Sequence, residues 1–69
     1  MQEREVGVIK KFYGVRHFGF IGRAGEQDLF FHEADLERGD SEIREGGRVE
    51  FEIALDQLGR LRASAVELL

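Results

Sequence analysis

Apolar residues in this chain never come more than three in a row, and a glycine or a polar residue interrupts each stretch. That pattern excludes a membrane-spanning helix and a signal-peptide core, both of which need a long unbroken apolar run. It also points away from helices. Nine glycines and no proline, set between short runs rich in β-branched and aromatic residues, read as strands and turns. With 69 residues and no cysteine, the chain is expected to be one domain, 1–69, near the lower size limit for folding alone. No disulfide or thiolate–metal staple can supplement its core. The charged start Met1–Glu5 carries no export pattern, so a cytoplasmic protein is expected.

Five strands can be placed. Val6–Tyr13 is rich in β-branched and aromatic residues and is broken by Gly14; Arg16–Ile21 follows, ended by Gly22 and the turn Ala24-Gly25-Glu26. Asp28–His32 is a short third strand. The charge-dense stretch from Glu33 to Gly47 holds only Leu36 and Ile43 as large apolar anchors, which suggests one helical turn near 34–37 and a loop closed by Gly46-Gly47. Arg48–Ile53 alternates strictly, with Val49, Phe51 and Ile53 on one face. After a turn at Asp56–Gly59, Leu61–Leu68 is the fifth strand. An open sheet this small would leave long unpaired edges, so the expected fold is all-β: a small five-stranded antiparallel barrel.

Net charge is −4, but it is unevenly spread. Residues 1–23 hold five basic and two acidic groups, +3; residues 24–58 hold three and eleven, −8; residues 59–69 hold two and one, +1. A local positive patch can therefore coexist with an acidic whole, although attraction to a polyanion is weakened.

The aromatics raise a problem of facing. Period two puts Phe18 and Phe20 on one face and Gly19 and Ile21 on the other; Leu29 and Phe31 share a face opposite Phe30 and His32. If Ile21 and Leu29 point inward, then Phe18, Phe20, Phe30 and His32 point outward together. The alternative is that the phenylalanines fill the core, which must then accommodate the His32 imidazole at a desolvation cost. Neither face of these strands is polar, and surplus apolar surface marks a binding site. An outward stripe suits the stacking of unpaired bases, worth about 1–3 kcal/mol per base. Lys10, Lys11, Arg16, and Arg60 or Arg62 are the cations placed to hold phosphates.

The same residues resemble the bacterial cold-shock proteins and their eukaryotic cold-shock-domain relatives. Arg16-His17-Phe18-Gly19-Phe20-Ile21 is similar to the first ribonucleoprotein motif of that family, usually Lys-Gly-Phe-Gly-Phe-Ile. Leu29-Phe30-Phe31-His32 is similar to the second, usually Val-Phe-Val-His followed by Phe. The opening Gly7-Val8-Ile9-Lys10-x-Phe12, Glu45-Gly46 before a Val-x-Phe strand, and Ala63-x-Ala65-Val66 fall in the same order, so the match spans nearly the whole chain. The resemblance implies a five-stranded antiparallel barrel of the oligonucleotide-binding, cold-shock-domain type. Such a barrel binds single-stranded RNA or DNA on the outer face of its first three strands. It implies stacking by Phe18, Phe20, Phe30 and His32, a platform extended by Phe12, and contacts from Lys10 and Arg16 to the backbone or base edges. Departures are Lys11 at a usual tryptophan, Glu33 at a usual phenylalanine, His17 at a usual glycine, Val15 at a usual acidic residue, and no aromatic between Leu36 and Ile43. They imply a weaker binder, or one of altered preference.

Two other classes compete. The acidic surface of 33–52 would dock a basic partner if this were a protein-interaction module. Catalysis finds no support: Ser41, Ser64 and Tyr13 sit in no nucleophile motif, and Gly22, Gly25, Gly39, Gly46 and Gly47 read as turn glycines instead of a phosphate cradle. His17 and His32 do not amount to a metal site. Neither cofactor nor membrane partner is expected, and a chain this acidic is expected to be a monomer.

Overall fold

Val49 and Phe51 of the alternating segment are fully buried, and Ile53 packs half-buried against the same core. That core lies inside a closed barrel in the computed structural model, which describes residues 4–38 and 43–69. The strands are β1 (Glu5–Tyr13), β2 (Phe18–Arg23), β3 (Glu26–His32), β4 (Arg48–Leu55) and β5 (Leu61–Leu68), with 3₁₀ turns at Gly14–Arg16 and Glu33–Asp35. They close in the order β1-β2-β3-β5-β4. Ile9, Ile21, Leu29, Phe31, Leu36, Ala63 and Val66 complete the interior.

The five strands close into the expected barrel, and one of its joints is parallel. β3 and β5 run parallel, joined at Phe30 and Arg62 and continued by a parallel bridge between Leu36 and Val66. The reason is parity. Strand direction cannot alternate around a closed ring of five, so at least one neighbouring pair must run the same way. The other pairings are antiparallel.

Element boundaries also shift. The second strand begins at Phe18 instead of Arg16, because Gly14–Arg16 coils into a 3₁₀ turn ended by His17 in the left-handed region at φ 63°. The third begins at Glu26, and the helical turn expected near 34–37 occupies 33–35. Gly22 is a strand residue paired with Val8, not a turn glycine; Gly25 and Gly46 do turn the chain, at φ 71° and 89°. Gly39, Ser41 and the rest of 39–42 in the expected loop lie outside the described residues.

Irregularities in the ladder set which side chains face out. In β1 the register slips between Ile9 and Lys11, a bulge that places one extra residue on this strand. Ile9 exchanges two backbone hydrogen bonds with the glycine pair, its N–H donating to Gly47 at 2.9 Å and its carbonyl accepting from Gly46 at 2.8 Å. A second slip lies between Glu50 and Glu52 of β4, opposite Ala65 of β5 at φ 51°. The Ala65 carbonyl accepts a hydrogen bond of 2.7 Å from Arg4. Arg4 also meets Glu50 at 2.5 Å and Glu52 at 3.1 Å. The hydrogen bond to Glu50 is the main cause of its raised pKa. One guanidinium thus ties the start of the chain to both strands at the bulge.

Candidate nucleic-acid interface

β2 and β3 pair Phe18 with His32 and Phe20 with Phe30, while Gly19 with Phe31 and Ile21 with Leu29 form the alternate pairs. Facing pairs share a side of the sheet. Phe31, Ile21 and Leu29 are buried, so Phe18, Phe20, Phe30 and His32 occupy the outer face. The phenylalanines are half-buried against one another, and His32 is exposed. Phe18 and Phe30 stack at 5.6 Å between centroids. Phe20 meets both edge-on, at 6.0 Å from Phe18 and 6.1 Å from Phe30. The rings form one joined platform, and the core is filled without them.

The β1 bulge changes two expectations. Beyond it Lys11 pairs with Phe20, Phe12 with Gly19, and Tyr13 with Phe18. Lys11 therefore stands on the platform side. Phe12, expected to extend the platform, packs instead against the core, its ring parallel to buried Phe31 within 10° at 6.0 Å. Its place is taken by Tyr13, whose ring lies 5.1 Å from Phe18. Strict alternation from Ile9 would have sent Tyr13 inward, and only the slipped register sends it out. The adjacency of two aromatics at the end of the strand was the sole trace of this in the sequence.

The cations are unequal in availability. Lys10 lays its stem over Gly22, where an added Cβ would fall 2.9 Å from Lys10 Cε, and pairs with Asp28 at 3.4 Å. Arg16 is exposed on the 3₁₀ turn, not on the strand beside the rings. Among the described residues, neither Lys11 nor Arg16 has an ion-pair partner. Arg62 reaches across the parallel joint, its guanidinium carbon 5.9 Å from the Phe30 ring centre, and is tethered by an ion pair with Asp35. Asp35 also accepts the His32 backbone N–H at 2.9 Å. The N–H of Ala34 donates to His32 Nδ1 at 3.0 Å, so the neutral imidazole carries its proton on Nε2.

Two departures noted in the sequence prove to be neighbours. The Glu33 carboxylate is hydrogen-bonded with His17 Nδ1, and the Glu33 N–H donates to the His17 carbonyl at 2.7 Å. The carboxylate at the platform's edge thereby has a hydrogen-bond partner. Among the described residues, no group of three or more His, Asp or Glu side chains is placed to hold a metal ion, and no helix is long and apolar enough to cross a membrane.

A five-stranded barrel with a stripe of rings across the outer face of neighbouring strands defines an oligonucleotide-binding-type barrel. The family described as the "cold-shock" DNA-binding domain matches residues 5–69, and the chain belongs to that family. It is similar to the cold shock protein CspA of Staphylococcus saprophyticus and to that of Staphylococcus epidermidis, each 36% identical over 63 residues, 90% of this chain and 96% of the relative. The CspA of Staphylococcus aureus is similar to the same extent, 36% over 63 residues.

Proposed function

We propose that the outer face of β1–β3 binds single-stranded RNA or DNA by stacking bases on Phe18, Phe20, Phe30 and His32, with Tyr13 at the end of the platform, and that it catalyses nothing. The observation that carries this reading is the joined cluster of rings left on the outer face while aliphatic residues and Phe31 fill the core. Lys11 stands opposite Phe20 to meet a phosphate, Arg16 is exposed on the turn that follows β1, and Arg62 backs the Phe30 ring. The DNA-binding description of the matched family supports the same reading. Stacking tolerates any base, and two unpaired cations give only modest electrostatic grip. Weak, reversible, sequence-tolerant contact of this kind suits a monomeric cytoplasmic RNA chaperone that keeps transcripts unpaired.

Titration of fluorescently labelled oligo-dT and oligo-U at low salt tests the proposal. Saturable binding at micromolar protein is expected, and its absence overturns the reading. Phe18→Ala with Phe30→Ala removes the central stack and is expected to weaken binding at least tenfold, given about 1–3 kcal/mol per stacked base. The acidic-surface alternative has less to work with. Asp35, Glu50 and Glu52 are already paired with Arg62 and Arg4.

A further inference from the structure

Phe18 and His32 form the last pair of the β2–β3 ladder, and the next residue on each side, His17 and Glu33, are joined twice. The Glu33 N–H donates to the His17 carbonyl at 2.7 Å, and the Glu33 carboxylate is hydrogen-bonded with His17 Nδ1. An ionised carboxylate only accepts, so the neutral His17 ring carries its proton on Nδ1. His32 does the opposite, accepting at Nδ1 from the Ala34 N–H. His17 sits at φ 63°, a left-handed conformation that residues other than glycine seldom adopt. Its N–H donates to the Gly14 carbonyl at 3.3 Å, so backbone and ring together hold it there.

These bonds form a clasp between the turn after β1 and the turn after β3, and its charge depends on one proton. With a neutral ring the clasp carries the full charge of the Glu33 carboxylate; with a protonated ring it carries none. The His17 side chain is 59% exposed, so solvent reaches the ring, and imidazole is the side chain that ordinarily changes charge between about pH 5 and 8. The other charged or titratable groups on the adjoining elements are Lys11 and Tyr13 of β1, Arg16 of the same turn, His32 of β3, and Asp35, which is ion-paired with Arg62 of β5. Only His32 is a second imidazole, and the two rings differ. A proton added to His32 must go to Nδ1 and displace the hydrogen bond from Ala34. His17 takes its proton on Nε2, which has no partner among the described residues, and keeps its bond to Glu33.

We infer that this clasp links nucleic-acid binding to a proton. Protonation of His17 cancels the Glu33 charge at the rim of the platform, and a single-stranded polyanion binds more tightly as the ring gains its proton. This rests on the platform being the nucleic-acid face. A phosphate backbone lying on the rings favours a rim without net negative charge, so the complex holds more protons than its free components. By reciprocity, affinity rises as pH falls through the range in which His17 is protonated.

The test is titration of labelled oligo-dT, whose bases do not ionise in this range, at low salt between about pH 5.5 and about pH 8. Wild-type affinity is expected to rise about threefold from the alkaline to the acid end, the order of one charge removed about 6 Å from a phosphate in water. Added salt should shrink the rise. His17→Gln keeps a donor for Glu33 but cannot titrate, and is expected to hold the wild type's alkaline-end affinity throughout. Glu33→Gln is expected to bind about threefold tighter than wild type at the alkaline end, and it carries the test should His17→Gln fail to fold. His32→Gln should weaken binding at every pH and keep the rise. Calorimetry at about pH 6.5 in two buffers of different ionisation enthalpy should show proton uptake on binding by wild type and none by His17→Gln. Wild-type binding that is flat across the range, a rise that survives His17→Gln, a rise lost in His32→Gln, or no gain from Glu33→Gln overturns the inference and leaves the platform reading intact. Wild-type protein that binds no oligomer at any pH overturns both.

Discussion

Gly19 shows how tightly the platform is tied to the core behind it. An added Cβ would lie 2.4 Å from the Lys11 carbonyl oxygen and 2.8 Å from Phe31 Cζ. Neither neighbour can yield, one being backbone at the bulge and the other a fully buried ring. Gly19→Ala is therefore expected to cost about 1–3 kcal/mol through overpacking. Thermal unfolding would record it as a loss of roughly 4–8 °C per kcal/mol for a domain of this size. Lys11 makes the opposite experiment. It faces outward opposite Phe20, so an aromatic side chain there would join the stripe without touching the core. Lys11→Trp is expected to tighten oligo-dT binding by roughly fivefold, the low end of one added stack, while the salt slope falls by about 0.7 for the lost cation. Fluorescence titration at two or three salt concentrations reads both effects.

Among the elements, the β4–β5 hairpin carries the clearest link between local chemistry and stability. Asp56 is held below its ordinary carboxylate value of 3.8, first by the hydrogen bond from the Arg60 N–H and further by the Arg60 side chain and the Leu58 N–H. A depressed folded-state pKa means that the native chain binds this proton less readily than the unfolded chain. The stabilisation is thus fully present above the ordinary value and is lost as pH falls through the folded one. Asp56→Asn is expected to lower the melting temperature at neutral pH, and the gap from wild type should close as pH is taken below about 3.8. Thermal melts at neutral pH and at successive acid steps check this. A gap that persists unchanged into strong acid would show that the carboxylate's charge contributes nothing. In β1 the decisive feature is the bulge, since it moves Phe12 to the core and Tyr13 to the platform. Tyr13→Ala is expected to weaken oligo-U binding more than it lowers thermal stability, because the residue is 44% exposed and is not among those packed on the core. Phe12→Ala should do the reverse, as loss of a ring packed on Phe31 leaves a cavity.

For the whole molecule, the acidic balance of −4 is arranged so that it does not face the platform unopposed. Asp35 is matched by Arg62, and Glu50 and Glu52 by Arg4, while the Glu33 carboxylate is held by a hydrogen bond with His17. Lys11, opposite Phe20, stands on the side of the rings without an ion-pair partner among the described residues, and Arg16 is exposed on the adjoining 3₁₀ turn. Binding of a short oligomer is accordingly expected to follow a shallow salt dependence. The slope of log affinity against log salt should be about −1.4 for two phosphate contacts. A slope several times steeper would mean that cations now paired within the barrel are released to the ligand.

Much of this was legible in the chain alone. Period two sets which residues share a side, Val49 with Phe51 and Phe18 with Phe20, because each residue's side is fixed by its immediate neighbours. Both faces of β2 and β3 are apolar, so which of them looks inward was left open by the sequence and decided by the burial of Ile21, Leu29 and Phe31. What the tertiary structure decided are matters that no neighbour determines. The bulge that exchanges Phe12 for Tyr13 depends on how β1 is shared between β2 and β4. The parallel joint depends on closing an odd ring, and it alone sets Arg62 above Phe30. The pairs His17–Glu33 and Asp35–Arg62, 16 and 27 positions apart, exist only because the barrel closes. Alternation is written into consecutive residues, whereas register and charge pairing are relations between distant segments that only packing can create.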